Sequence, residues 1–302
     1  EPLFSGHPNE DLKPIEFAGK QMKAPIWVSS MTGGTKEAGT INKNLAKACG
    51  EYGMGMGLGS CRIILEDNTY LKDFQLRPQI GDYPLYANLG VAQLEELFEA
   101  GKKHLVEELI KKTEADGLII HINPLQEWLQ PEGDVFKKSP LETIHRTLEL
   151  GFKTIVKEVG QGFGPQSLKE LMMLPLAAID FGAHGGTNFS KLELHRSSDM
   201  QHEAYDKVAK WGHSAEEMVG FYNQLEDELT GLNRNADIIV SGGVKDFMDG
   251  FYHINKINAN AIYGQASAFL KHARGSYDEL AEYVELQIEG LKLAERFLKL
   301  RS

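Results

Sequence analysis

The chain has 302 residues, of which 42% are hydrophobic and 25% are charged, as in ordinary globular enzymes. Its formal net charge of -11 argues against nucleic-acid binding, which usually needs a basic surface. Cys49 and Cys61 form no CxxC motif, so we exclude a disulfide scaffold and expect a cytoplasmic protein. No apolar run is long enough to span a membrane.

The first residues, EPLFSGHPNEDL, are polar and do not form a signal peptide. The chain also starts without Met, which suggests that its natural N-terminal segment precedes Glu1.

Eight short apolar or glycine-rich segments alternate with amphipathic helical segments along the chain. Continuous apolar runs separated by helices predict parallel strands that are buried on both faces. Eight such strands predict a (β/α)8 TIM barrel, with residues 1–302 as a single domain. The predicted strands are residues 25–30, 53–60, 84–90, 117–123, 154–160, 177–186, 236–243 and 261–267.

Residues 191–231 interrupt this alternation, because they are too long for an ordinary loop between a strand and a helix. We predict a polar, lid-like insertion that ends in the helix preceding the seventh strand. The helical periodicity of residues 277–300 predicts a last helix that closes the barrel.

Nearly every predicted strand ends in a polar or glycine-rich cluster. The C-terminal strand ends of a TIM barrel share one rim, where active sites lie, so we predict a functional rim. The alternative is that the glycines only permit tight turns.

The ends of strands seven and eight predict a phosphate site, with FMN as the cofactor most often found in this fold. Gly242 and Gly243 end one strand, and Gln265 and Ala266 end the next. Glycine lets backbone N–H groups approach a phosphate, and the helix after Gly243 is predicted to add its dipole. Turn formation alone is the alternative explanation.

Lys157 ends the fifth predicted strand, where its charge suits the flavin edge that becomes negative on reduction. The alternative is a structural ion pair with a rim carboxylate such as Glu158.

The segment HINPLQEWLQPEGD places six polar side chains after an apolar strand. His121 and Asn123 share one face of the strand, and Pro124 ends it. Gln126 and Glu127 then fall on the predicted loop above the cofactor. The set offers hydrogen-bond partners for an anion and a carboxylate for a hard cation.

Seven motifs along the barrel resemble the type 2 isopentenyl-diphosphate delta-isomerases, which are FMN-dependent TIM barrels of isoprenoid synthesis. They are SSMTGG, GLGSCR, ANLG, HINPLQEWLQPEGD, KEVGQGFG, GAHGGTN and SGGVKD, in the family's order. Two departures stand out. The family usually begins with a segment rich in Arg, Lys, Asp and His, and the given sequence starts at Glu1 without it, so that segment was either removed or is absent from this chain; in addition, Asn188 replaces the usual Ser.

The resemblance implies that isopentenyl diphosphate is isomerised to dimethylallyl diphosphate. Reduced FMN would act as an acid–base cofactor after reduction by NADPH, and Mg²⁺ held through Glu127 would bind the diphosphate. His121, Asn123 and Gln126 would be catalytic, while Arg62, Gln126 and Asn188 would bind substrate. The implied FMN contacts are Met31, Thr32, Gly33, Ser60, Asn88, Lys157, Thr187, Gly242, Gly243, Gln265 and Ala266.

We therefore expect a small-molecule diphosphate as the partner, no nucleic acid or membrane, and a homo-oligomer, either a tetramer or an octamer. Two other functions remain open from the sequence. One is an FMN barrel oxidoreductase of the 2-hydroxy-acid oxidase type, because AHGGTN is similar to the HGG of that class. The other is a non-catalytic barrel that binds flavin or phosphate.

Overall fold

The computed structural model describes residue 3 and residues 5–7, 10–30, 37–229 and 236–301. Its strands are β1 (Ile15–Phe17), β2 (Lys20–Met22), β3 (Ile26–Val28), β4 (Gly55–Gly57), β5 (Leu85–Gly90), β6 (Gly117–Ile122), β7 (Lys153–Glu158), β8 (Ala178–Asp180), β9 (Asp237–Ser241) and β10 (Ala261–Gln265). Its first helices are α1 (Ala38–Tyr52), α2 (Arg77–Ile80), α3 (Val91–Glu99), α4 (His104–Thr113), α5 (Pro124–Leu129), α6 (Pro140–Leu148) and α7 (Pro165–Met172). The remaining helices are α8 (Phe189–Leu194), α9 (Asp199–Ala209), α10 (Ala215–Glu228), α11 (Phe247–Lys256), α12 (Ser267–Ala273) and α13 (Tyr277–Phe297).

Strands β3 to β10 form a closed barrel in which every neighbouring pair is parallel. Each predicted strand segment overlaps one of these eight strands, so the predicted (β/α)8 TIM barrel is confirmed. The barrel closes because β10 pairs with both β9 and β3, which leaves no free strand edge.

Side chains inside the barrel form two layers of opposite character. The lower layer is apolar and belongs to one buried cluster, which includes Trp27, Tyr86, Ile119, Ile155 and Ile239. Side chains alternate along a strand, so the residue two positions later points the same way. In these strands that residue is polar in each case: Ser29, Asn88, His121, Lys157 and Ser241.

An antiparallel hairpin of β1 and β2, which the sequence reading missed, packs across the N-terminal end of the barrel. Phe17 and Met22 are fully buried against the apolar layer. The backbone of Ala18 in the turn donates to Asp237 at 2.6 Å and accepts from Lys153 at 2.7 Å. The hairpin thus closes the end of the barrel opposite the predicted functional rim.

Residues 191–231 contain two unlike helices. The outer helix α9 buries only Ala209. By contrast, α10 packs against α7 and β9 as a regular barrel helix, and Ser214 and Glu217 form its capping box. The last helix, α13, packs against α1, α11 and α12, as predicted. Within the described residues, no helix combines the length and apolar character needed to cross a membrane.

Candidate functional site

A cavity of about 380 Å³ opens at the C-terminal end of the barrel. Its wall includes six residues that the sequence reading assigned to the cofactor: Lys157, Thr187, Gly242, Gly243, Gln265 and Ala266. Ser60 and Asn88 lie outside this wall. Met31, Thr32 and Gly33 lie outside the described residues, so their assignment stays a prediction.

Bare backbone forms the cavity wall at the end of β9. Gly242 and Gly243 have φ values of 86° and 76°, which side chains other than glycine rarely adopt. A Cβ on Gly242 would lie 2.1 Å from the Ala183 oxygen, so a larger residue cannot fit there. The local geometry therefore requires glycine and leaves the backbone of this turn open to a ligand.

The helix that presents its N-terminus to the cavity is α12 and not α11, which corrects the prediction for the segment after Gly243. Helix α11 begins at Phe247, and the Asp246 carboxylate accepts its first free amides, those of Met248 and Asp249. Ser267, the first residue of α12, lies in the cavity wall.

Two buried hydroxyl groups in the cavity wall have no hydrogen-bond partner among the described residues. Neither Ser29 Oγ nor Ser30 Oγ has a hydrogen bond within the described part of the chain. A buried polar group without a partner is costly, so such atoms indicate a ligand or water. Both serines belong to the SSMTGG motif, but neither was predicted as a site residue. Ser29 follows Trp27 by two residues, and this spacing was the signal that could have identified it as a residue of the polar layer.

Lys157, a charged residue, forms part of the cavity wall although it is only 9% exposed. Its ammonium donates to the Glu158 backbone oxygen at 2.8 Å and lies 3.8 Å from Asp180 Oδ2. The structural alternative was an ion pair with a rim carboxylate such as Glu158, and the carboxylate that pairs with Lys157 is that of Asp180.

The Glu158 side chain organises the loop after β7. One carboxylate oxygen accepts the backbone N–H groups of Gly160, Gln161 and Gly162 at 2.6 to 2.8 Å. Burial nevertheless raises the pKa of Glu158 to about 7, against the lowering effect of these hydrogen bonds and of Lys157. This loop borders the cavity through Val159 and Gly160.

His121 is held as a neutral imidazole of one tautomer. Its Nδ1 lies 2.9 Å from Asn88 Oδ1, and the Asn88 amide nitrogen donates to the Leu58 oxygen at 3.0 Å. Because this bond fixes the Asn88 oxygen toward the ring, His121 Nδ1 must be the donor, which leaves Nε2 as an acceptor. Burial, and then the charge of Lys157, lower the pKa of His121 to about 4.

Gln126 and Glu127 lie on the short helix α5, not on a loop as predicted. The Asn123 amide donates to Glu127 Oε1 at 2.7 Å and to Gln126 Oε1 at 3.3 Å, while its buried Oδ1 has no partner among the described residues. Glu127 Oε2 accepts the Asp134 backbone N–H at 2.8 Å, which ties the QPEGD segment to α5. The structure thus joins Asn123, Gln126 and Glu127 in one hydrogen-bonded cluster, the α5 cluster, whereas His121 bonds to Asn88.

The two other predicted substrate residues are bonded to protein groups. Arg62 pairs with Asp134 at 3.1 Å near the same cluster. Asn188 caps α8 by accepting from the Lys191 backbone, and its amide donates to the Ala209 oxygen at 2.7 Å. Neither residue lies in the cavity wall.

Glu193 on α8 also belongs to the α5 cluster, although the sequence reading did not find it. It is only 7% exposed and accepts from Gln126 Nε2 at 3.4 Å and from Arg196 at 2.8 Å. The contact between α8 and α5 brings Glu193 to the site, so no local sequence motif marks this residue.

Comparison with solved structures shows the same barrel fold in two flavoproteins. The flavin-binding domain of baker's yeast flavocytochrome b2 matches with a TM-score of 0.65 and 12% identity, over 98% of this chain and 72% of that one. A mandelate oxidase variant with an FMN adduct matches with a TM-score of 0.60 and 12% identity, over 96% and 81% of the two chains. At such identity the likeness shows the fold alone. No protein-family model matches the chain.

Curated proteins similar in sequence carry one name. The isopentenyl-diphosphate delta-isomerase of Rickettsia felis is 36% identical over 279 residues, covering 92% of this chain and 77% of the relative. That of Rickettsia prowazekii is 37% identical over 279 residues, covering 92% and 78%. The chain belongs to the type 2 isopentenyl-diphosphate delta-isomerases. The predicted family is thereby confirmed, and the isomerase is an enzyme, as expected.

We predict that His121 makes the isomerase less stable as the pH falls. The pKa of His121 is lowered from 6.5 to about 4 in the folded state, so the unfolded chain binds the proton more strongly between these values. The contribution to the free energy of unfolding should decrease by about 2 kcal/mol between pH 7 and pH 5. Urea unfolding of the cofactor-free protein at several pH values would measure it.

The variant His121→Asn should lose this part of the pH dependence, because Asn does not titrate. The matched control is His104→Asn at an exposed helix start, which should keep the wild-type dependence. If His121→Asn and wild-type protein lose stability equally between pH 7 and pH 5, the imidazole is not held neutral by burial.

Proposed function

We propose that this enzyme isomerises isopentenyl diphosphate to dimethylallyl diphosphate, with reduced FMN as an acid–base cofactor and Mg²⁺ on the diphosphate. The supporting observation is the barrel mouth. The cavity has a bare glycine turn and a buried ammonium in its wall, and His121, outside that wall, is the register neighbour of Lys157 on the next strand. The proposal also includes NADPH as the reductant, one domain with a lid-like insertion, a cytoplasmic location and a homo-oligomer.

The residues of the cavity fit FMN. Gly242, Gly243 and the start of α12 would hold the phosphate through backbone N–H groups, as in other phosphate sites of this fold. The unpartnered hydroxyls of Ser29 and Ser30 would bond polar atoms of the cofactor. Lys157 would face the edge of the flavin that becomes negative on reduction. Reduced FMN supplies the group that gives and takes the proton during double-bond migration.

The α5 cluster would bind and orient the substrate. His121 offers the lone pair of Nε2, and Asn123 offers a buried oxygen without a partner among the described residues. Gln126 would use its amide beside Glu193. Because His121 is neutral at pH 7, it adds no charge that would compete with Lys157 for the cofactor.

Glu127 fits a magnesium ligand that acts together with the substrate. Each of its oxygens accepts one hydrogen bond and keeps a second lone pair. Groups of three or more His, Cys, Asp or Glu that could hold a metal are absent from the described ranges. Mg²⁺ often binds through one or two carboxylates together with phosphate oxygens and water, and it would offset the diphosphate charge.

Arg62 and Asn188 would need to exchange present bonds to contact the diphosphate. Arg62 is half-exposed, and an ion pair with so exposed a side chain contributes little stability, so Arg62 can exchange its bond to Asp134 at low cost. Asn188 would have to give up one of its bonds to the protein. We therefore propose Arg62 as the readier contact of the two.

An oxidase of the 2-hydroxy-acid type is the second candidate. Mandelate oxidase and flavocytochrome b2 share the barrel with this chain. At 12 to 13% identity this likeness does not extend to their substrates.

Turnover under anaerobic conditions tests the proposal. Because isomerisation conserves oxidation state, we expect a single reduction of the bound cofactor to support many rounds of conversion of isopentenyl diphosphate. Product by NMR and NADPH by absorbance would be measured together. Consumption of one NADPH for each product molecule, or oxidation of 2-hydroxy acids without isomerisation, would contradict the proposal.

We expect Gly243→Val to weaken FMN binding by about a hundredfold or more. The branched side chain would fill the space beside the Gly185 backbone and remove two or more phosphate hydrogen bonds of roughly 1.5–3 kcal/mol each. Flavin fluorescence titration would measure the Kd. The control is Gly101→Val, which has the same backbone strain, at φ 68°, but open surroundings. Equal losses in both variants would place the phosphate elsewhere.

We expect Glu127→Gln to raise the Mg²⁺ requirement and to lower turnover by roughly a hundredfold, the loss typical when a charge-stabilising group is removed. FMN affinity should stay unchanged. The control is Glu132→Gln. Glu132 is exposed, lies on the same segment as Glu127 and pairs with Arg196. Full activity of Glu127→Gln at low Mg²⁺ would mean that other groups hold the metal.

A further inference from the structure

Asp180, Lys157 and Ser241 lie side by side inside the barrel mouth. Asp180 ends β8 and is the register partner of Lys157 on β7 and of Ile239 on β9. Ser241 lies two residues beyond Ile239 and therefore points the same way. The motifs of the family resemblance drew attention to Lys157 and Ser241, whereas Asp180 was assigned no role.

The Asp180 carboxylate is fully buried, and its two oxygens have different surroundings. Oδ1 accepts the hydroxyl proton of Ser241, whose oxygen in turn accepts the Gly182 backbone N–H at 2.9 Å. Oδ2 has no hydrogen bond within the described residues and faces the Lys157 ammonium at 3.8 Å. Burial raises the pKa of Asp180, while Lys157 and Ser241 act in the opposite direction.

The Lys157 ammonium is held from two sides. It donates to the Glu158 backbone oxygen at 2.8 Å and forms an ion pair with Asp180. Lys157 itself forms part of the cavity wall. A buried ammonium without an anion would lose its proton or destabilise the fold. Asp180 therefore has the position needed to keep Lys157 charged and oriented.

We propose that Asp180 is a positioning residue, held by Ser241, that keeps the Lys157 ammonium protonated and aimed at the cavity. This inference rests on the proposed function, because the group facing Lys157 would be the flavin. Through this pair, Asp180 sets how strongly the site stabilises the negative charge of reduced FMN. It touches neither substrate nor cofactor.

The first test is the midpoint potential of bound FMN in Asp180→Asn. This variant keeps the shape but leaves the buried ammonium without its anion, so Lys157 loses its proton or its orientation more readily. We expect the reduced form to be disfavoured by about tenfold or more, a fall of about 30 mV for a two-electron couple. The control is Asp237→Asn, which removes a carboxylate at the opposite end of the barrel and should leave the potential unchanged.

A potential for Asp180→Asn that equals or exceeds that of wild type would overturn the inference, since it would mean that Lys157 keeps its charge and its position without the carboxylate. Failure of the proposed function looks different. In that case the wild-type protein itself would bind no FMN or would not isomerise isopentenyl diphosphate.

The second test needs no cofactor and covers the case in which Asp180→Asn folds poorly. Lys157→Met should lower the Tm of the cofactor-free protein, because it leaves Asp180 as an unpaired buried carboxylate. Adding Asp180→Asn in the same chain should recover at least half of the loss. If the double variant is as unstable as the sum of both single changes, the two groups are not coupled and the inference fails.

Discussion

The buried positive charge of Lys157 governs the polar groups at the barrel mouth. At 9% exposure its ammonium has little water, so the surrounding protein must supply the compensation. Asp180 and the Glu158 backbone supply it, and the same charge helps to keep His121 neutral. The mouth therefore combines a buried cation beside the glycine turn with a neutral imidazole, that of His121, on the neighbouring strand.

Much of this arrangement could be predicted from the sequence, because it follows from local rules. Eight apolar segments separated by helices gave the barrel, and the glycines of Gly242–Gly243 marked a backbone that a ligand can approach. The layer of polar side chains was also predictable in part. His121 and Lys157 were found in this way, and the same spacing of two residues after Ile239 would have given Ser241.

The missed features depend on contacts between distant segments. Strands β1 (IEF) and β2 (KQM) lack the continuous apolar or glycine-rich run by which the barrel strands were recognised, and their packing against the barrel interior becomes visible only in the fold. Glu193 reaches the α5 cluster through helix contact, and the partner of Lys157 depends on strand register, which placed Asp180 beside it. The family resemblance suggested roles for Arg62 and Asn188, but it gave no information about the protein bonds that hold them now.

The hairpin of β1 and β2 has a consequence for the traffic of small molecules. Phe17 and Met22 fill the N-terminal opening of the barrel, so the described barrel is open at its C-terminal end alone. A molecule bound at the rim must therefore enter and leave through the same opening, and a molecule bound near the surface blocks the exit of one bound beneath it. The hairpin at the N-terminal end of the barrel therefore imposes the order in which molecules bind to and dissociate from the opposite rim.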